Sequence, residues 1–246
     1  MKIAWERRGK GPAVLLIHGL GYARWGWEPV VEPLSRSFDV ILFDNRGVGE
    51  SDAPAGPYTA AEMAGDAAQV LDEAGVDRAH VVGTSLGGMV AQELALAHPG
   101  RVDKLVLACT TPGGQRAFPM PQRTVELMQT RATLREFTEN ALEPDPQPEL
   151  VDRILVHRER TAQPFEHWAS QAAAGATFDA HSRLGSLGMS TLVQTGDGDL
   201  VVDPRNSDLL VEAIPDARLS IFAGAGHVFM WQRPERFVAE LEGFLC

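Results

Sequence analysis

Six short apolar runs recur along the chain, and segments with helical spacing separate several of them. The runs are AVLLIHG (13–19), DVILFD (39–44), AHVVG (79–83), KLVLAC (104–109), STLVQTG (190–196) and ARLSIF (217–222). Runs that are apolar throughout are typical of strands that a parallel sheet buries on both faces. Residues 59–75, 204–215 and 234–245 show the apolar spacing of amphipathic helices. The pattern predicts an α/β fold with a mostly parallel central sheet flanked by helices.

This alternation stops between about Pro112 and Gly188, where no run is typical of a strand. Helical stretches are predicted instead around residues 122–141, 148–162 and 164–176. We assign residues 1–111 and 189–246 to the core, and residues 112–188 to an inserted helical cap. Ligands of such folds bind at the carboxyl ends of the strands, where a cap of this kind would cover them.

The charge and the cysteine content restrict the classes of partner. The chain has 33 acidic and 22 basic side chains and a net charge of −11, which disfavours binding to nucleic acid or an anionic membrane. The N-terminal residues are too charged for a secretion signal, and no apolar run approaches the ~20 residues that span a bilayer. We therefore expect a cytoplasmic protein. Its two cysteines suggest neither a disulfide framework nor a metal site.

The stretch GTSLG, residues 83–87, matches the pattern G-x-S-x-G between a predicted strand and a predicted helix. Glycines suit a very sharp turn because side chains at positions 83 and 87 would collide with neighbouring backbone. Such a turn holds its serine in a strained conformation, at a cost of roughly 1–3 kcal/mol, and exposes the hydroxyl. We interpret Ser85 as a catalytic nucleophile; the alternative is a glycine-rich turn without catalytic function.

A nucleophilic serine needs a histidine base and an acid that orients it, in the chain order serine, acid, histidine. Among seven histidines, His227 lies in a glycine-flanked loop after the last predicted strand, and it is our candidate base. Three aspartates follow the preceding strand. We favour Asp199; Asp197 is the alternative, although we expect it to bond its own turn, and Asp203 is predicted to cap the next helix.

An acyl-transfer site also needs donors for the oxyanion. The backbone N–H of Leu86, directly after the nucleophile, is one candidate, and the N–H of Leu20 in the glycine-rich loop IHGLGYARWGW (17–27) is the other. His18 at the start of this loop is expected to brace it.

With these motifs in order, the sequence resembles the α/β-hydrolase superfamily along nearly its whole length. Further matches are HGLG (18–21), FDNRGVGESDAP (43–54), TGDGDLVV (195–202) and GAGH (224–227). The resemblance implies the α/β-hydrolase fold with a cap between the sixth and seventh strands, and it assigns the acid to Asp199. The sequence looks most like the compact bacterial branch of esterases and 3-oxoadipate enol-lactonases, although many such lactonases have Asn-Ser where His18-Gly19 stand here. The serine at position 85 argues against relatives that use an aspartate nucleophile.

These features predict a serine carboxylesterase for short- to medium-chain esters, acting through an acyl-enzyme without a cofactor or metal. The alternatives are hydrolysis of a lactone, an enol-lactone or a carbon–carbon bond by the same triad, and, more remotely, a ligand-binding receptor. We expect a monomer or a homodimer. Met120, Trp168 and Val228 are our candidates for an apolar pocket, and the absence of an obvious cationic cluster argues against a strong preference for dicarboxylates.

Overall fold

The computed structural model describes residues 1–130 and 132–246, and within them the chain forms one seven-stranded sheet. Its strands are β1 (Trp5–Gly9), β2 (Ala13–Ile17), β3 (Asp39–Phe43), β4 (Ala79–Thr84), β5 (Val102–Ala108), β6 (Thr191–Gly196) and β7 (Ala217–Phe222). The strand order is β1-β3-β2-β4-β5-β6-β7. Only β1 runs antiparallel to its neighbour, so the predicted mostly parallel sheet is confirmed.

Strand β1 has no counterpart among the six predicted runs. Its sequence, WERRG, is polar because it lies at the edge of the sheet, and its last three residues are exposed. An edge strand does not need the apolar side chains that identify a central one.

Helices cover both faces of the sheet. They are α1 (Glu28–Leu34), α2 (Ala60–Glu73), α3 (Leu86–Ala97), α4 (Gln122–Gln129), α5 (Leu134–Asn140), α6 (Pro148–Arg160), α7 (Phe165–Ala176), α8 (Asn206–Ala213), α9 (Phe229–Gln232) and α10 (Pro234–Leu245). Short 3₁₀ turns occur at Arg24–Trp27, Pro99–Arg101 and His181–Ser186. None of the helices in the described ranges is long and apolar enough to cross a membrane.

The core consists of two clusters of buried side chains, one on each face of the sheet. Successive residues of β2 alternate between them: Leu15 and Ile17 belong to the cluster beneath α2 and α3, and Val14 and Leu16 to the cluster beneath α1 and α10. This alternation follows from the two-residue repeat of a strand and accounts for a run without polar residues.

The segment between β5 and β6 is helical, and its helices are α4 to α7; among the seven strands of this sheet the cap thus follows the fifth, not the sixth as the resemblance implied. The helix predicted at 122–141 is two helices, since a capping box of Thr133 and Glu136 starts α5; Arg131 of that prediction lies outside the described residues. After α7, Phe178, Leu184 and Leu187 pack into the same cluster as α2 and α3. The end of the insertion is therefore continuous with the hydrophobic core.

One helix start differs from the prediction. Helix α8 begins at Asn206, and its N-cap is Arg205, so the expectation that Asp203 caps it was wrong. The carboxylate of Asp203 instead accepts the Arg205 N–H at 3.0 Å and pairs with the Arg205 guanidinium. Pro204 and Arg205 form a turn before the helix begins.

Candidate active site

The serine of the G-x-S-x-G motif lies where β4 turns directly into α3. Its backbone has φ 54° and ψ −123°, a conformation that non-glycine residues rarely adopt. A Cβ on Gly87 would lie 2.1 Å from the Ile17 carbonyl oxygen, and a Cβ on Gly83 would lie 2.3 Å from that of Gly87. Close backbone packing thus requires both glycines.

The turn is tied to the neighbouring strand β5 and to the residues that follow it. The Ser85 N–H donates to the Ala108 carbonyl at 2.9 Å, and the Thr110 hydroxyl donates to the Ser85 carbonyl at 2.7 Å. Neither bond uses the Ser85 hydroxyl, which remains directed at the space beyond the strand ends as part of a cavity wall.

The structure brings His227 and Asp199 together. Nδ1 of His227 lies 2.7 Å from Oδ2 of Asp199, and both side chains are buried. The other carboxylate oxygen, Oδ1, accepts the N–H groups of Val201 and Val202 at 2.7 and 3.0 Å. Because Nδ1 faces the carboxylate, the imidazole presents Nε2 as its free nitrogen.

The alternative acid, Asp197, does not contact His227. Its Oδ1 accepts the Gly224 N–H at 2.6 Å, a bond to the loop after β7 rather than to its own turn as expected. Asp197 therefore joins the ends of β6 and β7.

The loop after β2 approaches the serine closely. A Cβ on Gly19 would lie 2.9 Å from the Ser85 Cβ and 3.4 Å from its hydroxyl oxygen. Among the hydrogen bonds of the described residues, the Leu20 N–H has no acceptor. Leu86 is the first residue of α3, so its N–H belongs to the turn that has no acceptor within the helix. Both candidate oxyanion donors line the same cavity as Ser85.

His18 is bonded to its own loop and to Asn45, which follows β3. Its Nδ1 accepts the Gly19 N–H at 2.8 Å, and its carbonyl accepts the Asn45 side-chain amide at 2.8 Å. Burial, aided by the nearby His227, lowers the pKa of His18 to about 3. The imidazole is therefore neutral near pH 7, and its Nδ1 keeps the lone pair that accepts the Gly19 N–H.

A cavity of about 680 Å³ lies between the strand ends and the inserted helices. Ser85, His227, Leu20 and Leu86 line it, as do the three pocket residues expected from the sequence, Met120, Trp168 and Val228. Its volume falls within the roughly 300–1,000 Å³ of small-molecule sites. Apolar side chains form most of the remaining wall, among them Met89, Phe118, Met128, Phe137 and Phe178.

The insertion also positions the loop that carries His227. The Val228 N–H donates to the Ala141 carbonyl at 3.0 Å, just beyond the end of α5. A Cβ on Gly226 would lie 2.5 Å from the carbonyl group of Leu142. The segment after α5 thus packs directly on the histidine loop.

The sequence analysis missed several polar residues of the cavity wall, and Tyr22 and Arg158 are two of them. Arg158 could have been found from its spacing, since it continues the face of α6 on which Val151, Ile154 and Leu155 are buried. A lone arginine on an apolar helix face is the relevant signal. Tyr22 had no comparable signal, because its position in a loop does not reveal which way the ring points.

The family follows from a comparison of sequences. A profile described as the alpha/beta hydrolase fold matches residues 12–234. The chain belongs to the α/β-hydrolase fold family. The resemblance drawn from the motifs, to the bacterial esterase and enol-lactonase branch of this fold, is thereby confirmed, and relatives and solved structures support it.

Individual relatives cover almost the whole chain. A protein named as the carbamate hydrolase RutD of Azorhizobium caulinodans is 34% identical over 251 residues, which are 98% of this chain and 93% of the relative. The structure of Est816, described as an N-acyl homoserine lactone degrading enzyme, matches with a TM-score of 0.86 and 31% sequence identity. The match covers 98% of this chain and 96% of the Est816 chain. The enol-lactonase from Burkholderia xenovorans LB400 has a TM-score of 0.87 at 26% identity, over 99% of this chain and 96% of that one. The protein is accordingly a hydrolase of this fold.

Proposed function

We propose that the protein is a serine carboxylesterase that hydrolyses small esters of short to medium acyl chain through an acyl-enzyme. One observation carries the proposal: a serine on a strained turn shares a cavity with a buried histidine that is paired to an aspartate. Serine is a weak nucleophile, and this pairing is the one that activates it in acyl transfer.

In the first step, the Ser85 hydroxyl oxygen attacks the ester carbonyl, and Nε2 of His227 takes the hydroxyl proton. Asp199 holds the imidazole in the required tautomer and stabilises the imidazolium. The N–H groups of Leu20 and Leu86 bind the oxyanion. As the tetrahedral intermediate collapses, the imidazolium gives its proton to the departing alcohol.

In the second step, water attacks the acyl-enzyme while His227 removes one of its protons. The carbon–oxygen bond to Ser85 then breaks, and the proton returns to the serine oxygen. The sum is one ester and one water converted into one acid and one alcohol. The largely apolar cavity wall favours esters with short to medium hydrocarbon groups.

Hydrolysis of a lactone is the second candidate, because Est816, at 31% identity, degrades N-acyl homoserine lactones. The same attack on a cyclic ester leaves the alcohol attached to the acyl group. The steps at Ser85 and His227 are otherwise unchanged, so the scaffold alone does not separate the two substrates.

A panel of 4-nitrophenyl esters from acetate to octanoate, run beside lactones of similar size, tests both candidates. We expect turnover of the short esters, and a loss of at least about 10³-fold in kcat for Ser85→Ala. Ser182→Ala, at an exposed position, is the matched control and should retain full activity. Turnover that survives Ser85→Ala would refute the serine mechanism. A large preference for lactones would replace the esterase assignment, and tight binding without turnover would favour a receptor.

A further inference from the structure

Charged side chains are rare in the wall of the catalytic cavity. Besides the two histidines His18 and His227, the residues with an ionisable side chain that carry a charge in this wall, in the described part of the chain, are Arg158 and Asp203. Asp203 is neutralised by Arg205, which forms two hydrogen bonds to its carboxylate. Arg158 takes part in no ion pair with the described carboxylates, so it is the uncompensated charge of this cavity.

The guanidinium of Arg158 is held in place, but most of its N–H groups form no hydrogen bond with the described residues. It donates one hydrogen bond, from Nη1 to the Thr138 hydroxyl at 3.2 Å, and its central carbon lies 5.2 Å from the centre of the Tyr22 ring. A guanidinium has five N–H donors, so most of them remain free for a ligand. A half-buried cation in an apolar cavity is costly unless an anion compensates it.

Tyr22 adds a second free donor at the same place. Its hydroxyl is buried, and apart from an interaction with the Arg158 guanidinium, to which the phenol oxygen can only be the acceptor, it has no hydrogen-bond partner among the described residues. The ring is fixed, because it stacks on His18 at 4.6 Å and packs against Trp25 at 4.7 Å between ring centres. Burial raises the pKa of Tyr22, so the group remains a neutral donor near pH 7.

We propose that Arg158 and the Tyr22 hydroxyl form a subsite for a carboxylate carried by the substrate. The inference rests on the proposed function and narrows it: the preferred esters have a carboxylate in addition to the bond that is hydrolysed. The planar fork of a guanidinium matches the two oxygens of a carboxylate, and the phenolic hydroxyl donates to one of them. This subsite departs from the expectation of a mainly apolar pocket without a preference for dicarboxylates. That expectation considered clusters of cations and not a single unpaired one.

The location of the subsite determines which substrates fit. Tyr22 lies two residues beyond Leu20, and its N–H donates to the Gly19 carbonyl at 3.3 Å, so the subsite adjoins the oxyanion loop. A carboxylate separated from the scissile carbonyl by a few bonds reaches Arg158 while Ser85 attacks. The remaining apolar wall then receives the other end of the ester.

Matched pairs of esters test the subsite. On the acyl side, 4-nitrophenyl valerate is compared with mono-4-nitrophenyl glutarate, in which a carboxylate replaces the terminal methyl. On the alcohol side, phenyl acetate is compared with 4-acetoxybenzoate. For each pair, the measured quantity is the ratio of kcat/KM, anionic over neutral, after subtraction of the uncatalysed rate.

We expect the wild-type ratio to exceed one for at least one pair. Arg158→Gln should lower that ratio by about 10- to 100-fold and leave kcat/KM for the neutral ester within about threefold. Arg158→Lys should recover part of the ratio, and Tyr22→Phe should lower it by roughly threefold to tenfold. Arg160→Gln is the matched control, because Arg160 is two residues further along α6 and lines a different cavity.

A binding measurement gives a readout independent of turnover. Calorimetry of Ser85→Ala with glutarate should detect an affinity that the additional change Arg158→Gln lowers by a similar factor. Wild-type ratios at or below one in both pairs, or equal losses for anionic and neutral esters in Arg158→Gln, would overturn the subsite. Either result leaves the proposed esterase intact, provided that the neutral esters still require Ser85.

Discussion

The turn that presents Ser85 and the loop that presents His227 are held by different parts of the molecule. The turn is packed on the sheet: Gly87 contacts the backbone at the end of β2, and Ser85 bonds to the end of β5. The loop that carries His227 packs against the insertion. Val228 donates a hydrogen bond to Ala141, and Gly226 closely approaches the backbone of Leu142. The proposed nucleophile is therefore fixed by the core, whereas the loop of the proposed base is held on one side by the end of β6, through Asp197 and Asp199, and on the other side by the cap.

This difference gives the insertion two functions. It covers the cavity that Ser85 lines, and it contacts the loop that carries His227, on which the proposed proton transfer depends. Changes in the segment after α5 can then alter the rate without touching the substrate. A core-packed nucleophile and a cap-supported base should respond differently to mutation, and the following experiments separate the two responses.

The largest expected effect comes from the acid that connects the two regions. The single side-chain oxygen of Asn in Asp199→Asn either accepts the Val201 and Val202 N–H groups and leaves the amide nitrogen beside Nδ1 of His227, or faces Nδ1 as an uncharged oxygen. Loss of the correct tautomer and of the stabilising charge should lower kcat for an ester by about 10³- to 10⁴-fold. Thermal unfolding should show that the variant remains folded.

Asp197→Asn is the control for this variant. It changes the same kind of side chain two residues earlier, where the carboxylate bonds only the Gly224 N–H among the described contacts. We expect kcat to change by less than about threefold. Equal losses in both variants would contradict the assignment of Asp199 as the acid.

We expect a substitution in the turn that carries Ser85 to lower the stability of the fold. A Cβ at position 87 would lie 2.1 Å from the Ile17 oxygen and 2.6 Å from the Ile17 carbonyl carbon, atoms of a strand that cannot move without disturbing the sheet. Gly87→Ala should cost about 3 kcal/mol or more of unfolding free energy, or prevent folding. Urea denaturation measures this effect.

Gly65→Ala is the matched control in a helix. A Cβ there meets no atom within 4 Å, so the change should stabilise α2 by about 0.5–1 kcal/mol. If Gly87→Ala proved as stable as the wild type, the turn would not depend on close packing in the way described.

We expect a substitution in the loop that carries His227 to lower kcat more than it lowers stability. A Cβ at position 226 also meets backbone, 2.5 Å from the Leu142 carbonyl carbon, but this backbone belongs to the segment between α5 and α6. Such a connection can shift and carry His227 with it. Gly226→Ala should therefore lower kcat by about 10- to 100-fold, since a displacement near 1 Å has this effect, with a smaller loss of stability than Gly87→Ala.

Gly243→Ala serves as the control for the loop variant, because no atom lies within 4 Å of the position that its Cβ would take. Its rate should equal that of the wild type. A loss of stability in Gly226→Ala as large as that in Gly87→Ala, with the rate of the folded fraction unchanged, would show that the two regions are supported alike.

The two regions also differ in how far the sequence predicts them. The turn at Ser85 is encoded locally, since two glycines, a preceding apolar strand and a following helix suffice to describe it. The pairing of His227 with Asp199 could be anticipated because both follow strands whose ends meet at one edge of the sheet.

The support of the histidine loop by the cap could not be predicted. The hydrogen bond joins backbone atoms of Ala141 and Val228, which residue type does not reveal, and Gly226 marks a close approach without showing which segment approaches. The spacing of α6 could have placed Arg158 on the buried face, but its role depends on the absence of a counter-charge, and this is known only once all neighbouring carboxylates are located. Sequence patterns predict elements and their edges, but they do not predict which side chains remain unpaired.

The smallest expected effect concerns His18, where the two regions meet. His18 accepts the Gly19 N–H next to Ser85, and burial, with a further contribution from His227, lowers its pKa from 6.5 to about 3. The unfolded chain therefore binds a proton at a pH where the folded chain does not. This contribution to stability is complete above pH 6.5 and is lost progressively as the pH falls toward about 3.

Urea denaturation at pH 7, 6 and 5 measures this effect. Titration of one such group should lower the unfolding free energy by up to about 2 kcal/mol between pH 7 and pH 5. His18→Asn keeps an oxygen that can accept the Gly19 N–H but cannot take up a proton, so its unfolding free energy should decline less steeply. Comparison of the slopes removes both the contribution of the carboxylates, which the two proteins share, and the constant cost of the smaller side chain. Parallel slopes would mean that His18 has the same pKa in the folded and the unfolded chain. The loop beside Ser85 would then be accessible to water.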